Sequence, residues 1–338
     1  MYQPLKELHA QAWLRGNRYS LAGSGKRPVN SFATSAIGGW VSNGHITRAA
    51  RSRSNKKAAA TPWLVAATVA GMSVIATPAK AQTPAPLQEW QYSAGVPLEK
   101  LMEPEIPTWQ AAVGIAGAFQ PRYDGADRYH FEGGPSIDIR YSDLYFASTG
   151  EGFGANVAQG QNWRISLAVA YDLGRRGQDD DEHLHGLGNI NPAPELKLAG
   201  DYVISKSFPM VLRADIRRSF GGSNGWIGDV GAYMPLPGSS KTFFWFAGPS
   251  LTFADSKYMN AWFGIDQQQA AESQYSYYHA SAGLKSAGFG VSAIWFFQKH
   301  WFAACDFALE QLVGSAAHSP VTQRSSNGVL DLSINYQF

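Results

Sequence analysis

From Trp109 to Phe338 apolar and polar residues recur with a period of two. In the last segment, Leu330, Leu332, Ile334, Tyr336 and Phe338 share one parity and Asp331, Ser333, Asn335 and Gln337 the other. Successive side chains of a β-strand point to opposite faces, so the segment has one greasy wall and one wet wall. The pattern repeats upstream. Trp163, Ile165, Leu167, Val169 and Tyr171 stand opposite Arg164, Ser166 and Asp172; Leu212, Ala214 and Ile216 opposite Arg213, Asp215 and Arg217; Trp301, Ala303, Cys305, Phe307 and Leu309 opposite Asp306 and Glu310. Charges fall on the polar parity each time. A strand of membrane length that ends on an aromatic residue fits a barrel with its apolar face against lipid and its polar face in the lumen.

Gly-, Asn- and Asp-rich breaks separate these segments, the mark of strand following strand rather than of βαβ units. The alternation predicts strands at 109–119, 135–142, 144–149, 152–158, 161–173, 193–204, 210–219, 226–235, 241–253, 278–287, 290–298, 301–312 and 328–338. Closed bacterial barrels have an even number, so this list holds one strand too many. The weak pair 144–149 and 152–158, spanning Gly150 and Gly152, reads as one bulged strand. The expectation is an all-β, transmembrane antiparallel barrel of about 12 strands, within a range of roughly 10–14. Long and short connections alternate cleanly under neither count, which leaves the outward-facing loops unassigned. Trp109, Tyr141, Trp163, Tyr171, Trp226, Trp301 and Tyr336 fall near strand ends, where an aromatic girdle belongs.

The region before Trp109 reads differently. Arg48, Arg51, Arg53, Lys56 and Lys57 precede an apolar run from Ala58 to Ala76, and Ala79-Lys80-Ala81 follows. Basic, apolar and A-x-A regions in that order predict a secretory signal cleaved after Ala81. Residues 1–81 are therefore an extended leader and signal peptide. Residues 82–108, with Pro84, Pro86, Pro97, Pro104 and Pro107, read as an extended periplasmic lead-in, and 109–338 as the barrel.

Composition sharpens this in two ways. The net charge of +2 hides a partition: residues 1–81 hold 11 of the 28 basic residues and one of the 26 acidic ones, so the remainder is about −8. That removes the basic footprint nucleic-acid binding needs. The lone Cys305 forms no internal disulfide.

Candidate chemistry is sparse. Asp179-Asp180-Asp181-Glu182-His183-Leu184-His185 combines carboxylates and imidazoles that suit divalent ions, but its spacing matches no ligand template and it reads as a solvated acidic loop. His279 and Ser281 are placed as i and i+2 on one strand face, where a histidine can reach a serine hydroxyl as its base. No acid orients the imidazole, so a lipid-directed hydrolase is the weaker reading. The lumen charges Arg164, Arg213, Arg217, Asp215, Asp306, Asp331 and Glu310 either line a pore or fill it with ion pairs, and a barrel of about 12 strands favours filling. Gly221-Gly222-Ser223-Asn224-Gly225 lacks the lysine of a phosphate cradle and is a turn. No catalytic, cofactor or metal site is assigned.

Several segments, in order, resemble the MipA/OmpV family of outer-membrane proteins. They are Pro121-Arg122-Tyr123-Asp124-Gly125-Ala126-Asp127; Gly174-Arg175 with Gly186-Leu187-Gly188-Asn189-Ile190-Asn191; Tyr258-Met259 with Phe263-Gly264-Ile265; and Ala316-Ala317-His318-Ser319-Pro320, where His318 replaces the family's acid. The resemblance spans about 109–338. It implies a non-enzymatic barrel in the bacterial outer membrane, in contact with its lipid. It further implies a scaffold that links a lytic murein transglycosylase and a penicillin-binding synthase, other members being tied to adhesion, immunogenicity or permeability.

Overall fold

The computed structural model describes residues 107–338 apart from Lys241. The leader, the signal peptide and all but the end of the Pro-rich lead-in lie outside the described residues. The described residues form twelve strands: β1 Trp109–Pro121, β2 Tyr129–Tyr141, β3 Tyr145–Ser148, β4 Gly152–Gln159, β5 Trp163–Asp172, β6 Ala193–Val203, β7 Val211–Ser219, β8 Trp226–Pro235, β9 Phe243–Ala254, β10 Gly283–Phe296, β11 Trp301–Leu312 and β12 Ser326–Gln337. Each pairs with its sequence neighbours and β12 pairs antiparallel with β1, from Ala112↔Gln337 to Phe119↔Leu330, so the sheet closes into a barrel.

Burial follows the sequence alternation. In β5, Trp163, Ile165, Leu167, Val169 and Tyr171 face outward, whereas Arg164, Ser166, Ala168 and Asp172 are buried inside. Ile115 is 71% exposed and Phe131 72%, on strands otherwise well paired. In water such a surface is an interaction patch, but wrapped around a closed barrel it is the lipid face. No helix among the described residues is long and apolar enough to cross a membrane. At one end Trp109 packs on Tyr141 at 4.7 Å and Trp301 on Tyr336 at 5.2 Å, part of the expected girdle.

The strand list needs three corrections. The segments 144–149 and 152–158 are two separate strands, β3 and β4, and not one bulged strand. The surplus came from 278–287 and 290–298, which are one continuous strand, β10. The gap left between them falls at Gly288 and Phe289. A Cβ on Gly288 would lie 2.8 Å from Ser250 Oγ and 3.3 Å from Leu309 O, so this glycine marks close approach of strands. The third correction is β2, which starts at Tyr129, well before 135; Gly133, Gly134 and Pro135 lowered its strand signal but stay in register with β1.

Segments 142–144, 160–162, 204–210, 236–242 and 297–300 lie at the end that carries Trp109 and Phe338, and 122–128, 149–151, 173–192, 220–225, 255–282 and 313–325 at the other, which holds the three longest connections. One irregularity breaks the wall. β3 has four residues, against the roughly 9–11 a tilted strand needs to cross a bilayer. The rim is therefore low between β2 and β5 on the loop side.

Candidate functional site

The inward faces of β2 to β7 carry arginines and carboxylates at matching heights, and they neutralise one another. Glu151, in the connection between β3 and β4, turns into the lumen because Ser148 Oγ accepts its backbone N–H at 3.0 Å. There it meets Arg140 at 2.5 Å, Arg164 at 3.8 Å and Arg213 at 4.0 Å. Asp201 joins the same group, 2.8 Å from Arg164 and 3.1 Å from Arg213, while Asp138 holds Arg140 at 3.0 Å. A second group lies beside it: Arg217 is 2.5 Å from Asp229 and 3.4 Å from Asp215, and Thr252 donates to Asp229. Buried ions are costly unless paired, and this arrangement pairs them.

Above this belt the long loops fold together into a cap. Its helices are α1 Asp181–Leu184, α2 Ser256–Phe263, α3 Gln267–Glu272 and α4 Gly314–Ala317. α2 begins where Asp255 accepts from the Tyr258 N–H, and α3 where Asp266 accepts from the Gln269 N–H. Tyr258, Met259, Trp262 and Phe263 of α2 pack on Ile190, Ile227, Leu312 and Ala316. A second apolar cluster joins Tyr123, Ala126, Leu184, Leu187, Ile265 and Val321 from all four long loops.

Arg175 stitches the two clusters together. It donates to Trp262 O at 2.8 Å and stands 6.0 Å from the ring centroids of both Tyr123 and Trp262. Burial, only partly offset by Tyr123, Asp124 and Asp179, brings its guanidinium down to about 10. Burial likewise pushes the phenols of Tyr123 and Tyr258 well above their ordinary value. Lys285 anchors the cap to the wall, 2.6 Å from Asp124 and 3.3 Å from Glu310.

Towards the turn end, Val203, Val211, Tyr233, Phe244 and Phe246 form an apolar plug that reaches Ala308 and Val329 on the opposite wall. The described interior is thus filled at three levels: apolar plug, ion-pair belt and apolar cap.

All seven lumen charges named from the sequence face inward. Arg164, Arg213, Arg217, Asp215 and Glu310 are in ion pairs, and Asp306 and Asp331 stand opposite each other. Their partners Glu151, Asp201, Asp229 and Lys285 were missed. For Asp201 and Asp229 the signal was available, since each sits on the inward parity of its strand; Glu151 lies in a turn, where parity says nothing.

The acidic loop is solvated only in part: Asp181, Glu182 and His185 are exposed. Asp179 and Asp180 are buried, held by Arg122, which donates to the Asp179 carbonyl, and by Arg128, 3.4 Å from Asp180. Asp127, Asp180 and His183 bring one ligand atom each within 4.8 Å of one another. Arg128 lies 3.4 Å from one Asp180 oxygen and His183 Nδ1 3.0 Å from the other, so Asp180 is already partnered within the loops. His279 and Ser281 lie in irregular chain before β10 and are exposed, not on a strand face, and the geometry expected of them is absent. Instead the Ser281 carbonyl accepts from Ser315 Oγ at 2.9 Å.

Residues 113–338 match the family model described as MltA-interacting protein MipA. The chain belongs to this family. The barrel is accordingly that of an outer-membrane protein of the MipA family, its lipid-facing belt turned to the membrane of the bacterial envelope. No curated protein matches the sequence. Among solved structures it is similar to the NanC porin (8% identity, TM-score 0.39, covering 66% of this chain and 98% of the porin). It is also similar to the KdgM porin (10%, 0.35, 67% and 99%) and to the translocator domain of autotransporter NalP from Neisseria meningitidis (10%, 0.36, 70% and 90%). These are likenesses between barrels and carry no function across.

Proposed function

We propose that this protein is a non-enzymatic scaffold of the outer membrane that binds murein-remodelling enzymes through its turn end. The observation that carries the reading is the filled interior. Plug, ion-pair belt and cap occupy the space a conducting barrel keeps open, which leaves the surfaces outside the lumen to work. The family description names an interaction with MltA, which the notion of a scaffold extends to a lytic murein transglycosylase and a penicillin-binding synthase.

Outer-membrane barrels have short turns on the periplasmic side and longer loops outside. By that rule the connections 142–144, 160–162, 204–210, 236–242 and 297–300 face the murein. Lys206, Phe208, Phe297 and Lys299 are exposed there, two aromatic anchors beside two cations. Such a surface suits a partner with an acidic, partly apolar patch.

The test is co-purification in mild detergent with a purified MltA-type transglycosylase. Wild-type protein retains the enzyme, and the double variant Lys206→Glu with Lys299→Glu retains several-fold less while still running as a folded barrel. Equal retention by both moves the contact elsewhere; no retention by either removes the scaffold reading.

A further inference from the structure

The ion pairs of the lumen leave the buried carboxylate of Asp306 outside their pattern. Glu151, Asp201, Asp229 and Asp124 each have a basic side chain within 2.8 Å. Asp306 has none. It is 6% exposed and lies directly opposite Asp331 in the β11–β12 pair. Like charges in directly opposed positions repel, and burial strengthens the repulsion.

The neighbouring strand adds an independent observation. Ser292 of β10 stands opposite Asp306 on its other side and is 4% exposed. Although it adjoins the Asp306 carboxyl, neither its Oγ nor either Asp306 oxygen closes a hydrogen bond of normal geometry. Three oxygen-bearing side chains thus sit abreast on one rung of the sheet. Ala304, Ala308 and Ser333, two residues along on the inward face, are small and bring no charge to the rung.

The rung continues to the low rim. Asp331 pairs with Ala118, and Ala118 with Glu132 of β2, whose side chain is 25% exposed. Beside Glu132, no atom lies within 4 Å of where a Cβ on Gly134 would be. Carboxylates therefore lead from the gap above the short β3 into the barrel, with burial rising from Glu132 and Asp331 to Asp306.

We propose that Asp306, Asp331 and Ser292 form a hard-cation site inside the barrel that takes one calcium ion, entering past Glu132 over the low rim at β3. Two carboxylates balance a divalent charge, and an all-oxygen set with irregular spacing suits calcium, which tolerates variable geometry, better than magnesium, which demands a near-ideal octahedron. Waters complete the shell.

Calorimetric titration of the full chain in detergent, chelator-treated and then given calcium chloride, tests this. Asp180→Asn serves as the background, so that the acidic cap contributes no binding. One ion binds per barrel, and Asp306→Asn, close in shape and not charged, weakens it at least about tenfold. Magnesium binds more weakly than calcium. A thermal melt of the unaltered protein gives a second readout that does not depend on the variant folding: calcium raises its midpoint and chelator reverses the rise. Binding of equal strength in Asp306→Asn, or no calcium uptake and no shift in the melt, overturns the site. Absence of uptake together with an infrared band of a protonated carboxyl that Asp306→Asn removes assigns a shared proton in its place, and also overturns it.

Discussion

Glu151 is the residue on which the ion-pair belt turns. It is the common partner of Arg140, Arg164 and Arg213, and it comes from a turn that the Ser148 hydroxyl holds inward. Removing one member of a buried network leaves the others uncompensated, at a cost of about 3–5 kcal/mol. Glu151→Ala should therefore lower the urea midpoint of the barrel far more than Ser207→Ala, an exposed control. A conservative Glu151→Asp should recover part of the loss. Gly174 is equally specific: its φ of +72° is left-handed, and a Cβ there would lie 2.0 Å from Ile190 O. Gly174→Ala should destabilise the cap by about 1–3 kcal/mol, read as faster proteolysis within 173–192. Tyr123 and Tyr258 supply a pH signature. Their phenols are raised by burial, so the folded cap keeps protons that the unfolded chain releases near 10. That stability is intact below pH 10 and is lost as pH rises above it. In an ultraviolet titration the Tyr123 and Tyr258 contributions appear only as the cap unfolds.

At the scale of elements, the sequence is readable wherever lipid and lumen impose opposite demands on successive residues. β5, β11 and β12 announce themselves because one-residue slips would put charges into lipid. Legibility fails where small residues do the work. Gly133, Gly134 and Gly288 carry no side chain to place on either face, so β2 was cut short and β10 cut in two. It fails again in the loops. The burial of Asp179 and Asp180 depends on Arg122 and Arg128 from a connection some 50 residues away, and parity has no reach across that distance. Glu151 was invisible for the same reason. The cap was foreshadowed only by the family-like motifs: Tyr123 with Asp124, Gly174 with Arg175, Tyr258 with Met259, and Ala316 all converge on it. Arg175 tests its integrity as an element. Arg175→Ala removes the bond to Trp262 O and both ring contacts, so the loops 173–192 and 255–282 should become protease-sensitive while the strands remain protected.

The whole molecule joins a lipid-facing surface to an interior occupied at three levels. Twelve strands enclose a modest lumen, and here bulky side chains, ion pairs and folded loops occupy it. A barrel built that way is a rigid platform in the membrane with work to offer at its two ends and at the low rim above β3. The heat-dependent gel shift of a closed barrel follows from the complete hydrogen-bonded ring. So does its recovery with the outer membrane. What separates platform from pore is conductance. Single-channel recording of the purified protein in a planar bilayer should show a flat baseline under applied voltage, and Glu151→Ala or Arg175→Ala should introduce transient openings. A stable, stepwise open level from the unaltered protein would contradict the account.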